Sequence, residues 1–230
     1  MVETSRHKYG AKYAAALLAL AVMGFSAAAQ AQQYTQAAGS TLTFAGHYQG
    51  QVFTGNFPGF STDLRFDPQR LNAARLHVVI PLATATTGNR DYDGEMRGKA
   101  FFDSARFPQA TYTASKFRAL GGNRYAADGI LALRGVSKPV TLTFTWTPGA
   151  RPVLAGTASV RRLNFGVGGG DWADTKLIPN AIAISTRVNF VAAKPAAAAY
   201  PASAASASAA NGQSSSVPVA GLCSTGTRVP

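Results

Sequence analysis

The sequence predicts an all-β domain of about eight antiparallel strands, arranged as a sandwich or as an up-and-down barrel. Three observations lead there. Apolar and polar residues alternate with period two along the centre of the chain, turn signals punctuate the alternation at short intervals, and no long stretch shows helical periodicity.

In chain order, the first 31 residues read as a removable leader. Arg6, Lys8 and Lys12 precede an apolar run from Ala14 to Phe25, and Ala29-Gln30-Ala31 has the small-x-small pattern of a cleavage site. The run is well short of the ~20 residues a spanning helix requires. A signal peptide over 1–31 and a periplasmic location are therefore expected. The chain carries +12 overall. Three basic residues and one acidic residue lie in the leader, so the remainder carries +10. Such a charge favours peripheral contact with anionic lipid surfaces or anionic ligands. Apart from Arg161-Arg162 the cations are scattered singly, which argues against a nucleic-acid partner.

Residues 40–193 form the predicted domain. VTLTFTWT places Val140, Leu142, Phe144 and Trp146 on one face and threonines on the other. TLTFAGHY pairs Leu42 with Phe44, and FSTDLRF groups Phe60, Leu64 and Phe66. RLHVVIPL groups Leu76, Val78, Ile80 and Leu82, while AIAISTRVNF groups Ile182, Ile184, Val188 and Phe190. Turns are expected at Asp67-Pro68, Gly121 to Asn123, Gly135 to Pro139 and Pro148-Gly149. Arg90 to Pro108 does not alternate. Its polar residues, Met96 and the Phe101-Phe102 pair suit a short helical crossover lying over one end of the domain. From Lys194 onward Ala, Ser and Pro dominate, so 194–230 is expected to be a flexible tail with Cys223 as an incidental thiol.

Motifs that carry chemistry are sparse. FGVGGGDW, Phe165 to Trp172, has the glycine density of a phosphate loop. However, Asp171 stands where a third glycine is required, and Pro179 follows before a helix could develop. The stretch reads instead as a sharp turn in which Trp172 covers the end of a barrel. His47 and His77 are thirty residues apart and opposite the apolar faces of their strands, so no metal site is assigned. Asp91, Asp93 and Glu95 are flanked by Arg90, Arg97 and Lys99, which predicts a solvated ion-pair network rather than an acid/base cluster. No G-x-S-x-G turn is present, and no catalytic residue is assigned.

GILALRGVSKPVTLTF (Gly129 to Phe144) resembles the signature hairpin of the YceI-like family. Further landmarks stand in the family's order: GNFPGFSTDLRFDP from Gly55, TGNRDYDGEMRGKAFFDSARFPQATYTASKF from Thr87, and RRLNFGVGGGDWADTKLIPNAIAIS from Arg161. Ser61 stands where the family usually has glycine, and Met96 where leucine is common. The resemblance implies an extended, eight-stranded antiparallel lipocalin-like barrel whose lumen holds an isoprenoid or similar long-chain amphiphile. It further implies a non-enzymatic periplasmic protein with no cofactor beyond a bound isoprenoid lipid or quinone. An enzyme acting on an envelope lipid, or a quinone-linked accessory to a membrane cytochrome, are the alternatives. On that barrel the expected cavity residues are Leu42, Phe44, Phe60, Leu64, Leu76, Val78, Ile80, Leu142, Phe144, Trp146, Ile182 and Ile184. Arg90, Met96, Arg97, Lys99, Phe101, Phe102 and Trp172 are expected at its mouth, with the three cations available to an anionic head group.

Overall fold

A computed structural model describes residues 31–193. The expected leader, the tail and Cys223 lie outside the described residues, apart from Ala31. Ten β-strands form one closed antiparallel sheet: β1 (Gln33–Gln36), β2 (Thr41–Tyr48), β3 (Gln51–Asn56), β4 (Ser61–Arg65), β5 (Arg75–Pro81), β6 (Gln109–Gly121), β7 (Arg124–Leu133), β8 (Val136–Thr147), β9 (Val153–Arg161) and β10 (Ala181–Ala192).

These ten segments occupy eight positions around the barrel. β1 and β2 both pair with β10, through Gln36↔Phe190 and Ile184↔Phe44, and so are two halves of one interrupted strand. β4 pairs with β1 and β3 with β2, so these two share the next position. From β4 the neighbours follow chain order to β10, and the β1–β10 pairing closes the ring. The β2–β3, β6–β7, β7–β8 and β8–β9 hairpins close through short turns that contain glycine, whereas β5–β6 and β9–β10 are joined by long connections. β1 lies ahead of Ser40, the expected start of the domain. QYTQ is too short and polar for alternation to reveal it.

Closure sends alternate residues inward along every strand. Cross-strand pairs fit large rings over small neighbours. Phe44 lies opposite Gly55, where a Cβ would stand 2.3 Å from the ring.

One α-helix, α1 (Arg90–Arg97), interrupts the all-β pattern. Asn89 caps it, its side-chain oxygen accepting from the backbone N–H groups of Asp91 (2.9 Å) and Tyr92 (3.2 Å). The helix and the segment to Pro108 lie at the end of the barrel that also carries the β7–β8 turn and the long β9–β10 connection. The expected helical crossover is present at that end.

Candidate ligand-binding cavity

The inward faces do two different things along the barrel axis. Toward the end where β1 begins, rings fill the interior. Phe66 lies with its centroid 5.1 Å from both Tyr125 and Trp146 and 5.7 Å from Phe144, and Tyr34 and Phe190 close around Trp146 at 5.3 and 6.0 Å. This is a plug. Toward the other end the walls bound a cavity of about 220 Å³. Its lining on β10 runs from Ile182 to Val188, about 20 Å of strand, so the lumen is elongated.

Apolar side chains dominate the lining. Thr62, Tyr112, Arg162 and Thr186 are the polar ones. Tyr112 has its hydroxyl 2.8 Å from the Ala127 carbonyl and 3.1 Å from that of Val140, and burial pushes its phenol up to about 12. It stays neutral at physiological pH. Thr186 donates to the Thr41 carbonyl at 3.0 Å.

The lid over the cavity is built from two connections. Phe101, Phe102 and Met96 from the crossover contribute directly to the lining, as do Val167 and Ile178 from the β9–β10 connection. Arg162 joins them. This side chain is only 3% exposed and has no carboxylate beside it. Its five N–H bonds point instead at backbone carbonyls. Nε donates to Pro179 (3.2 Å), Nη1 to Val167 (3.1 Å) and Gly168, and Nη2 to Trp172 and Ile178 (2.8 Å each). Burial holds its guanidinium below the usual arginine range, which still leaves it charged at neutral pH. Gly168, at φ +64°, is required here, because a Cβ would stand 2.4 Å from Arg162 Nη1. A second arginine ties the two connections together. Arg134 donates to the carbonyls of Gly166, Lys99 (2.7 Å) and Ala100 (3.3 Å), and the Gly168 N–H donates to Ala100 at 2.8 Å.

Asp93 anchors the start of α1. Its carboxylate accepts from Thr86 Oγ1 (2.6 Å), from the Thr87 N–H (2.6 Å) and from Thr87 Oγ1 (2.9 Å). Burial opposes its ionisation, but these hydrogen bonds outweigh burial and hold the carboxyl below its ordinary value. The expected solvated ion-pair network is not formed: among the described residues the group's one ion pair is Arg97 with Asp93 at 3.9 Å, and Asp93 is buried, at 7% exposed. Asp91 and Glu95 are exposed.

Nine of the expected cavity residues line the lumen: Leu42, Phe44, Phe60, Leu76, Val78, Ile80, Leu142, Ile182 and Ile184. Phe144 and Trp146 face inward but belong to the plug, and Leu64 is buried without lining the cavity. Alternation assigns the face of a strand; it carries no information on where facing strands fill the space. At the mouth, Met96, Phe101 and Phe102 line the lumen. Trp172 lies behind them, 5.4 Å from the Phe101 ring and 6.2 Å from Tyr48, so its ring covers the barrel end without lining the cavity. Arg90, Arg97 and Lys99 are exposed and absent from the lining. Arg97 lies 3.9 Å from Asp93. The lumen's cation is Arg162, which sequence reasoning missed; the Arg161-Arg162 pair beside the glycine-rich turn was the available signal. His77 bonds Thr113 on the outer wall at 3.2 Å, and His47 is exposed, which leaves the two histidines outside the cavity.

Comparison with known proteins agrees with this architecture. The chain is 38% identical over 88 residues to a UPF0312 protein of Yersinia pestis (strain Pestoides F), a match that covers 38% of this chain and 45% of that protein. It thus spans about half the length of that curated relative. A UPF0312 protein of Vibrio vulnificus (strain YJ016) is 30% identical over 125 residues, covering 53% of this chain and 66% of the relative. Among solved structures, BcnA of Burkholderia cenocepacia is similar with a TM-score of 0.63 at 28% identity, over 65% of this chain and 95% of BcnA. A polyisoprenoid binding domain from Saccharophagus degradans shares the fold with a TM-score of 0.55 at 17% identity, over 71% of this chain and 99% of that domain. The YceI-like domain pattern matches residues 34–190, and with the closed barrel and its lid in place the chain belongs to the YceI-like domain family.

Proposed function

We propose that the protein binds and sequesters a long-chain isoprenoid or similar amphiphile in the barrel lumen, and that it does so in the periplasm. The observation that carries this reading is a hollow, elongated and almost wholly apolar lumen in a barrel whose other half is packed solid. A domain stabilised by burial gains nothing from an unfilled core, since lining atoms facing a void forfeit dispersion contacts. An apolar chain restores them, at ~0.8 kcal/mol for each methylene moved out of water, less the cost of ordering the ligand. The structural relative from Saccharophagus degradans is described as a polyisoprenoid binding domain, which supports a ligand of this class. The two ionisable side chains on the lumen, Tyr112 and Arg162, are both engaged by backbone carbonyls, and this favours holding a ligand over acting on one. The periplasmic location rests on the leader pattern of residues 1–31.

Organic extraction and native mass spectrometry of the full-length protein, purified from a bacterial envelope, test the reading. A stoichiometric long-chain lipid is the expected result. Protein that carries no lipid and takes up none from a panel of prenols, quinones and fatty acids would overturn it.

A further inference from the structure

Of the ten described strands, only β3 lacks a strand neighbour on one side. It pairs with β2 along its length, while its outer edge meets the connection between β5 and α1 at a single bridge, where Asn56 and Thr86 exchange backbone hydrogen bonds at 2.9 and 3.0 Å. In an antiparallel strand every second residue turns its backbone groups to the same edge, so Val52 and Thr54 present theirs on the side that Asn56 does. Among the described residues neither has a backbone partner there. An open groove follows this seam on the outer surface, with Thr54, Gly55 and Asn56 on one bank and Thr86, Thr87 and Gly88 on the other.

The wall between groove and lumen is thin at this seam. Gly55 lines the groove, and behind it stands the Phe44 ring, which lines the lumen and leaves no room for a Cβ. Above the bridge, rings rather than hydrogen bonds join the two banks. Phe57, which follows β3, meets Phe102, which follows α1, at 5.9 Å; Tyr48 at the tip of the β2–β3 hairpin meets the exposed Tyr92 of α1 at 6.5 Å. The other connections of the lid are held by arginines on backbone carbonyls, at Arg134 and Arg162. We propose that the seam between β3 and the β5–α1 connection is the portal through which the ligand's hydrocarbon chain enters and leaves the lumen.

The cost of opening selects this route. Parting the banks breaks one reciprocal pair of hydrogen bonds, and the groups set free lie beside an open groove where water replaces the lost partner. Entry between two other strands would break a continuous ladder, such as the nine residue pairs of β9 with β10. Lifting the β9–β10 connection would strip the buried Arg162 guanidinium of its carbonyls. Once the seam parts, Phe53 on one bank and Met96 on the other, both on the lumen lining, offer an apolar path to a slender, flexible chain. Local opening of the wall then suffices for exchange, and the plug takes no part in it.

The inference rests on the lumen binding a long chain, and the test separates the two claims. As a hydrogen-bonded antiparallel pair, Asn56 and Thr86 have α-carbons about 5.5 Å apart, within the span of a disulfide. Asn56→Cys and Thr86→Cys are combined with Cys223→Ser in delipidated full-length protein. Uptake and release of cis-parinarate, a fluorescent polyene fatty acid, are followed by stopped flow with the new pair oxidised and reduced. Tyr92→Ala, a change at an exposed ring, is measured beside it. Oxidation is expected to slow both rates about tenfold while the reduced form exchanges as its Cys223→Ser parent does. Tyr92→Ala should speed both rates about two- to fivefold at unchanged affinity. Equal rates in the oxidised and reduced forms, with the cross-link verified by mass and the probe still bound, would overturn the portal and leave the cavity reading intact. Should the double-cysteine protein fail to fold, unchanged rates in Tyr92→Ala would overturn it alone. A wild-type protein that binds no cis-parinarate would overturn the portal together with the reading beneath it.

Discussion

At the plug, the barrel is closed by ring against ring, with Phe66 in contact with Tyr125, Phe144 and Trp146. At the mouth it is closed by guanidinium against carbonyl, as Arg162 and Arg134 gather the backbone of the two connections. The first kind of closure is non-directional and excludes everything, including a ligand. The second fixes a particular loop geometry while leaving space beneath it. One end therefore acts as the stable base of the domain, and the other as a shaped cover over a hollow.

Substitutions in the two halves should behave accordingly. Phe66→Ala removes a ring that is 1% exposed and central to the plug, and should cost about 4 kcal/mol of stability, read as a lower urea midpoint. Arg162→Met leaves up to five carbonyls without a partner and should cost about 3 kcal/mol. Its signature is regional: hydrogen exchange should accelerate across residues 162–180 while the plug amides of β1 and β4 keep their protection. If the plug loosened equally, the division into two independently held ends would fail. Phe102→Ala should cost only about 1–2 kcal/mol, because that ring already faces empty space and loses fewer contacts. Its larger effect should fall on lipid retention, measured by mass spectrometry after dialysis.

The smallest effect sharpens the lid's dependence on charge. Asp93→Asn should cost about 1 kcal/mol at neutral pH. In the wild type the Asp93 carboxyl lies below its ordinary value in the folded state, so its stabilisation is present above the usual carboxylate range. It is lost as the pH falls through the lower folded value. Thermal melts from pH 6 to pH 2 should therefore show an acid-dependent loss in wild type that is diminished in Asp93→Asn. Equal slopes for the two proteins would mean that Asp93 does not anchor the lid.

The inward faces were legible from alternation, because a closed antiparallel wall sends every second residue to the interior whatever its neighbours do. Leu42, Phe44, Val78, Ile80, Ile182 and Ile184 were identified on that ground and do line the lumen. Leu64, Phe144 and Trp146 obeyed the same rule and still fell outside the cavity. Arg162 was illegible for the opposite reason. An arginine at the start of a loop, even paired with Arg161, reads as a surface charge, and only the folded connection supplies the carbonyls that let it be buried.

Strand parity, the existence of a crossover and the sharp glycine turn were determined by the sequence, since each follows from local sterics and the period of the pleat. The depth of the cavity and the identity of its cation were decided only by the tertiary structure. These depend on which residues of distant strands converge at one height in the barrel, and ring closure sets that height through the register of all eight positions at once.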